Sequence, residues 1–326
     1  MVAAAATILL SLGEVRILDR LLFVDRREFG FVLDSVHAIV ARAPIWRSWQ
    51  HRLIPAYALN GLEALTTTPL EALRFFTEAM ILVQNVFLFA LVKRLGATTG
   101  VALGAALLFV LARVLLTYEL EYPWDEIDIC LFSAFGYIVT RERPFVRSIP
   151  LLVVGLFNHE TVLYLPLWFV LSGAERPRPP NGRRDFFQGA LTFALLAAAI
   201  AGVRLMLYGG TPAPSGRVFE RETPLVANPI HFAHNARQLF FADWRDERVF
   251  VSLSFLYVLT MMATLVVRRK HVRAAWWTSS FLMAVFTFGY VNETRLYLPL
   301  LAFWCVYGAA SVIAHRRNTF ALAVEN

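Results

Sequence analysis

The strongest constraint on this chain is a series of long apolar runs almost free of charge. The hydrocarbon core of a bilayer is about 30 Å thick and a helix rises 1.5 Å per residue, so a spanning helix needs about 20 mostly apolar residues. Runs of that kind lie at roughly 73–92, 97–118, 187–208, 249–267, 276–291 and 296–314, with a shorter one at 126–140. The opening run VAAAATILLSLG has about 12 residues, no leading Lys or Arg and no small-residue cleavage site before Glu14. It fits a signal peptide poorly and reads as a short first span or the remnant of one that starts upstream. Of the 326 residues 58% are apolar and 17% charged, against about 45–50% and 25% in soluble domains. That composition excludes a water-soluble enzyme and a disordered chain. Cys130 and Cys305 both lie in apolar runs and supply neither a disulfide framework nor a zinc spacing.

The expected fold is all-α, a polytopic transmembrane helix bundle forming one integral-membrane domain over 1–326. It comprises a first outer loop with interfacial helices (14–72), a helix bundle (73–208), a second outer loop (209–248) and three last spans (249–314). The expected count is about 8–10 membrane helices. The stretch SIPLLVVGLFNHETVLYLPLWFVLSG (148–173) can be one helix with polar residues at its middle or two short helices meeting at NHET. Its flanks decide. RERPFVR before it and ERPRPPNGRR after it are both short and basic, so both belong in the cytoplasm. A hairpin returns the chain to the side it left, and a single span does not.

The loops VKRLG, RRKHVR and HRR then also fall inside. The five inside segments with the tail hold 15 of the 31 Lys and Arg and four acids, a net charge of +11. The rest of the chain carries −4, which completes the overall +7. Basic charge is therefore assigned to cytoplasmic loops, not to nucleic-acid binding, and the C-terminus lies inside. The polar segments assigned to the outer face are 14–72, 121–128, 158–161, 209–248 and 292–295; a span at 53–70 would instead put the basic stretch 14–52 inside, but Pro55, Asn60 and Glu63 argue against one.

Those segments hold the candidate functional residues, because ionisable groups at membrane depth are costly and usually face a cavity or a partner. The string FVDRREFG puts Asp25 and Glu28 on one helical face, with Asp34 following. A carboxylate there can accept a proton from an attacking hydroxyl; the plain alternative is an interfacial helix whose acids pair with Arg26 and Arg27. In WRSWQHRLIP, Arg47, His51 and Arg52 stand beside tryptophans, and arginines at an interface can grip phosphate in a bidentate fork. YPWDEID puts acids, Asp125 and Glu126 first, at the mouth of a helix, where they can bind a cation or an acceptor or simply cap the helix. NHET puts His159 and Glu160 between two apolar runs; HExxH would need His at 163, which is Leu163. In YVNETRLYLPL, Glu293 and Arg295 interrupt an apolar stretch, either as a phosphate-binding Arg held by Glu or as a turn-stabilising pair. No motif with fixed metal-ligand spacing is present, so no metal residue is assigned, and a divalent cation is left as an option.

A short first span, a long outer loop with early acids and interfacial helices, then a helix bundle, together with QHRLIP, NHET and NETRLYLP, resembles integral-membrane glycosyltransferases of the GT-C fold. The chain departs from that pattern in its short first span and in early acids separated by Arg26 and Arg27. The resemblance implies transfer of a sugar from a polyprenyl-phosphate donor to a glycan, lipid or protein acceptor at the outer face of the cytoplasmic membrane. It implies Asp25 as base, with Asp34 as an alternate. Glu28 or Asp125 would be its partner or metal ligand, Arg52 and Arg295 would hold the phosphate, and His159 and Glu160 would line the cavity. The alternatives are a flippase or transporter of a lipid-linked substrate and a non-catalytic membrane scaffold.

Overall fold

The computed structural model describes residues 2–20, 23, 29–43, 50–116, 122–174, 181–209, 232–241, 271–288 and 294–324. Among these the chain is all-helical, without strands. The helices are α1 (Val2–Asp19), α2 (Phe29–Val40), α3 (Leu53–Glu63), α4 (Pro69–Arg94), α5 (Thr99–Leu116), α6 (Pro123–Ile138), α7 (Pro144–Leu156), α8 (Tyr164–Val170), α9 (Gly182–Tyr208), α10 (Phe232–Phe241), α11 (Val272–Phe288) and α12 (Leu298–Val324). Short 3₁₀ turns cover Glu160–Leu163, Leu171–Ala174 and Thr294–Tyr297. Among the described residues two helices, α4 and α9, are long and apolar enough to cross a membrane. The expected span at 249–267 lies outside the described residues.

Local chemistry sets the helix ends. At α4, Thr68 is the N-cap, its hydroxyl accepts from the Glu71 N–H at 3.2 Å, and Pro69 occupies the first turn, where no donor is lost. The Glu71 carboxylate reaches back to the Thr67 N–H at 3.1 Å. Lys93 and Arg94 close the same helix, where positive charge meets the exposed carbonyls. Pro123 and Pro144 likewise open α6 and α7. Gly209, at φ +60°, ends α9 in the left-handed conformation that glycine adopts without strain, and its N–H bonds Leu205 O at 2.8 Å.

Several boundaries differ from expectation. The first helix runs for 18 residues, not about 12. Its polar end stays helical because Glu14 is buried among polar partners on other helices. The segment expected as a loop from residue 14 therefore starts after Asp19, and it contains α2 and α3, the latter 11 residues long and too short to cross. The region 148–173 is two helices, and α-helical geometry is lost over Phe157–Leu163. The segment 209–248, expected as loop, contains α10. The last helix continues past 314 through the basic HRR.

The chain divides into two compact units. The first comprises Met1–Ala41, Arg52–His159 and Tyr297–Asn326. There α12 lies along α6, α5 and α4, and α4 also packs on α1, α5 and α6. The core includes Phe109, Phe132, Phe135, Leu300 and Phe303. Gly136 sits where α6 meets α12: a Cβ there would stand 2.8 Å from the Phe303 carbonyl oxygen. Small residues permit such close backbone approach between apolar helices. The second unit comprises Arg42–His51 and Glu160–Leu296. In it α8 packs on α9, with Gly189 against the backbone of Pro166 and Val170. Trp277 of α11 donates its indole N–H to Tyr164 O at 2.6 Å and meets Trp168 edge-on, centroids 5.8 Å apart.

Candidate functional site

In the first unit the site forms on the opening turns of α6. Asp125 and Asp128 are three residues apart, so they share a face near the helix N-terminus, where the dipole favours negative charge. Asp125 accepts from the Tyr122 N–H at 3.2 Å. Asn158 and His159 come from the break that follows α7. The Asn158 side-chain amide donates to Asp128 Oδ1 at 2.7 Å and to Trp124 O at 2.9 Å. His159 Nδ1 is 2.6 Å from Asp128 Oδ2. With the carboxylate as acceptor, it is Nδ1 that carries a proton toward Asp128. All four side chains are buried, His159 the least so at 8% exposure. Burying two carboxylates costs free energy that only such hydrogen bonds and neighbouring charge can offset.

Arg52 caps α3 and lies over the Trp124 ring, its guanidinium carbon 4.4 Å from the centroid. The Ile54 N–H bonds Phe157 O at 3.1 Å, which ties the start of α3 to the end of α7. The elements carrying Arg52, Asp125, Asp128, Asn158 and His159 are thereby joined within one unit.

Glu126 points elsewhere on α6. Its carboxylate pairs with Arg113 of α5 at 2.6 Å and accepts from Gln84 of α4 at 2.5 Å. Arg113 also donates to Gln84 Oε1 at 2.5 Å and lies 3.8 Å from Glu14 of α1. Asn85 donates to Glu14 at 2.5 Å and to Ser11 at 3.2 Å. All these residues are buried. Four helices thus meet on a polar network whose evident role is to clamp them together.

In the second unit Glu160 pairs with Arg204 of α9, and the same guanidinium nitrogen stands 3.1 Å from His51 Nδ1. A guanidinium has no lone pair to give, so His51 Nδ1 is the acceptor and the ring is neutral. His51 is fully buried; Glu160 and Arg204 are about one-quarter exposed at their side chains, 29% and 25%.

Of the residues expected from sequence, Arg52, Asp125 and His159 thus come together in one unit, and His51 and Glu160 in the other. Asp34 stands exposed on α2. Asp25, Glu28, Arg47 and Glu293 lie outside the described residues, as does the Arg295 side chain. Sequence reasoning gives no role to Asp128, one of the acids of YPWDEID, or to Asn158, the first residue of NHET, and does not single out Arg204. The first shares a helical face with Asp125, the second adjoins His159, and the third is a lone charge inside an apolar run, each a readable signal. One ligand atom from each of Asp125, Asp128 and His159 lies within 4.8 Å of the others, so these residues could hold a metal ion. Comparison with known protein families, curated proteins and solved structures finds no match to this chain.

Proposed function

We propose that this chain is a multi-pass enzyme of the cytoplasmic membrane that moves a sugar from a polyprenyl-phosphate donor to an acceptor hydroxyl at the outer face. The observation that carries the reading is the buried Asp128–His159 pair held by Asn158, with Arg52 over the neighbouring Trp124. Burial among apolar helices supports a lipid-borne substrate. So does α9, whose apolar stretch is only 11% buried and which turns Leu191, Leu195 and Met206 outward. A contiguous apolar face of that kind suits lipid rather than water.

In this mechanism the acceptor hydroxyl gives its proton to His159 Nε2 while its oxygen attacks the sugar's anomeric carbon. The bond from that carbon to the phosphate oxygen breaks, and the electron pair leaves with the phosphate. Asp128 fixes the imidazole tautomer and stabilises the imidazolium that forms. Arg52 faces the charge that develops on the leaving phosphate. In this reading the base is His159, at the break after α7; Asp25, the base that the resemblance implies, lies outside the described residues.

General acid–base groups contribute roughly 10²–10⁴-fold to rate. His159→Gln and Asp128→Asn should lower sugar transfer by about that factor in membranes supplied with lipid-linked sugar. Normal transfer in both variants would refute the assignment. A second reading, a flippase for a lipid-linked substrate, draws on the interruption of helix over Phe157–Leu163, since broken helices with polar residues recur in transporters. It is favoured if the donor crosses the membrane with its sugar–phosphate bond intact.

A further inference from the structure

We propose that Asp125, Asp128 and His159 form a binding site for one divalent first-row metal ion, of the Mn²⁺ class. The donor geometry is independent of the transferase reading, and a flippase could carry the same ion. One donor atom from each residue lies within 4.8 Å of the other two. An ion bound at about 2.1–2.3 Å has its ligand atoms roughly 3.0–4.5 Å apart. Closing the site therefore needs side-chain shifts of at most about an ångström, not a change of fold.

The chemistry of the donors narrows the ion. Two carboxylates and one imidazole form a mixed oxygen–nitrogen set; carboxylates alone suit Mg²⁺ and Ca²⁺, whereas imidazole favours the transition series. Both aspartates are at most 3% exposed, so an ion there would offset buried negative charge. The outer contacts are those that orient ligands elsewhere: the Asn158 amide holds Asp128 Oδ1 at 2.7 Å, and the Tyr122 N–H holds Asp125 at 3.2 Å.

A second, independent observation points to a ligand. The Asn158 side-chain oxygen is fully buried and receives no hydrogen bond. It is the other arm of the amide whose nitrogen holds Asp128, so it stands beside the same cluster. Buried carbonyl oxygens are rarely left without a donor or a cation. A hard divalent ion completed by this oxygen and by water satisfies it. An ion in the site would take the His159 lone pair and would itself activate the incoming hydroxyl by lowering its pKa, so His159 acts as base in the metal-free site only.

The test uses the full chain in detergent, stripped of metal by chelator and titrated with Mn²⁺ under electron paramagnetic resonance. One Mn²⁺ should leave the free-ion signal per chain, and the bound ion should show spin-echo modulation from a directly bonded imidazole nitrogen. His159→Gln should abolish the nitrogen modulation, and Asp125→Asn should weaken binding at least tenfold. Both variants are checked for native helical circular dichroism. If His159→Gln misfolds, imidazole ¹⁵N-labelling of the wild-type protein must still change the modulation. Failure of folded wild-type protein to bind Mn²⁺, or binding with no imidazole coupling, overturns the proposal. Wild-type protein that binds Mn²⁺ but transfers no sugar counts against the transferase reading alone.

Discussion

Replacing Arg113 tests whether the polar network among α1, α4, α5 and α6 holds those helices together. Arg113→Met keeps most of the volume and removes the charge. In the native bundle the guanidinium lies 2.6 Å from Glu126 and 3.8 Å from Glu14, and all three side chains are at most 1% exposed. Removing one partner of a buried ion pair leaves a carboxylate without its counter-charge, which costs about 3–5 kcal/mol. The Gln84 oxygen loses its donor as well, about 1–3 kcal/mol more if it stays dry. Against a total stability of about 5–15 kcal/mol, this is a large loss. At roughly 2–4 °C per kcal/mol for a unit of this size, the melting point should fall by at least about 6 °C. Cys305 supplies the assay: it is a free thiol buried on α12, so a thiol-reactive dye labels it as the bundle opens. The double variant Arg113→Met with Glu126→Gln should recover part of the loss, because one stranded charge is gone, with a coupling of about 2 kcal/mol or more. An Arg113→Met protein that melts with the wild type, or a double variant no better than the single, would refute the reasoning.

Gly136→Val should loosen the α6–α12 contact by about 1–3 kcal/mol, because a Cβ at 2.8 Å from the Phe303 oxygen meets backbone that cannot rotate away; the same thiol-labelling melt reads it. Thr68→Ala should cost about 1 kcal/mol through loss of the α4 cap, seen in chemical denaturation. Asn158→Ala removes the amide from Asp128 and Trp124 and should slow sugar transfer at least tenfold, equivalent to about 1.4 kcal/mol, with helical circular dichroism unchanged. Thr67→Cys and Leu95→Cys flank α4 and should label from the outside and the cytoplasm respectively, in a background without Cys130 and Cys305; labelling of both from one side removes α4 as a span.

Helix identity and many helix ends could be read directly from residue order. Thr68-Pro69-x-Glu71 carries its own cap, Gly209 its own stop, and Pro123 and Pro144 their own starts. The break between α7 and α8 could be read from NHET and the basic flanks. The end of α1 could not. Glu14 and Asp19 look like the start of a loop, yet they stay helical, because Asn85 and Arg113 receive Glu14 and Arg74 meets Asp19 at 2.6 Å. Asp125 and Glu126 pose the same difficulty at the site. Adjacent in sequence, they look interchangeable, but one residue of helix is about 100° of rotation. Asp125 and Asp128 therefore share one face, and Glu126 turns toward Arg113.

The sequence by itself determined an all-helical chain, its apolar runs, most of its caps and the i, i+3 pairing of acids on α6. These depend on chemistry within a few residues and on a fixed helical period. Only the tertiary structure decided that His159 and Asn158 meet Asp128, that Glu126 belongs to Arg113, and that Arg204 meets Glu160 and His51. Those partners lie 13 to 153 residues apart. Helical periodicity shows which face a side chain occupies, whereas the side chain it meets across the gap depends on which helices pack together and in what register.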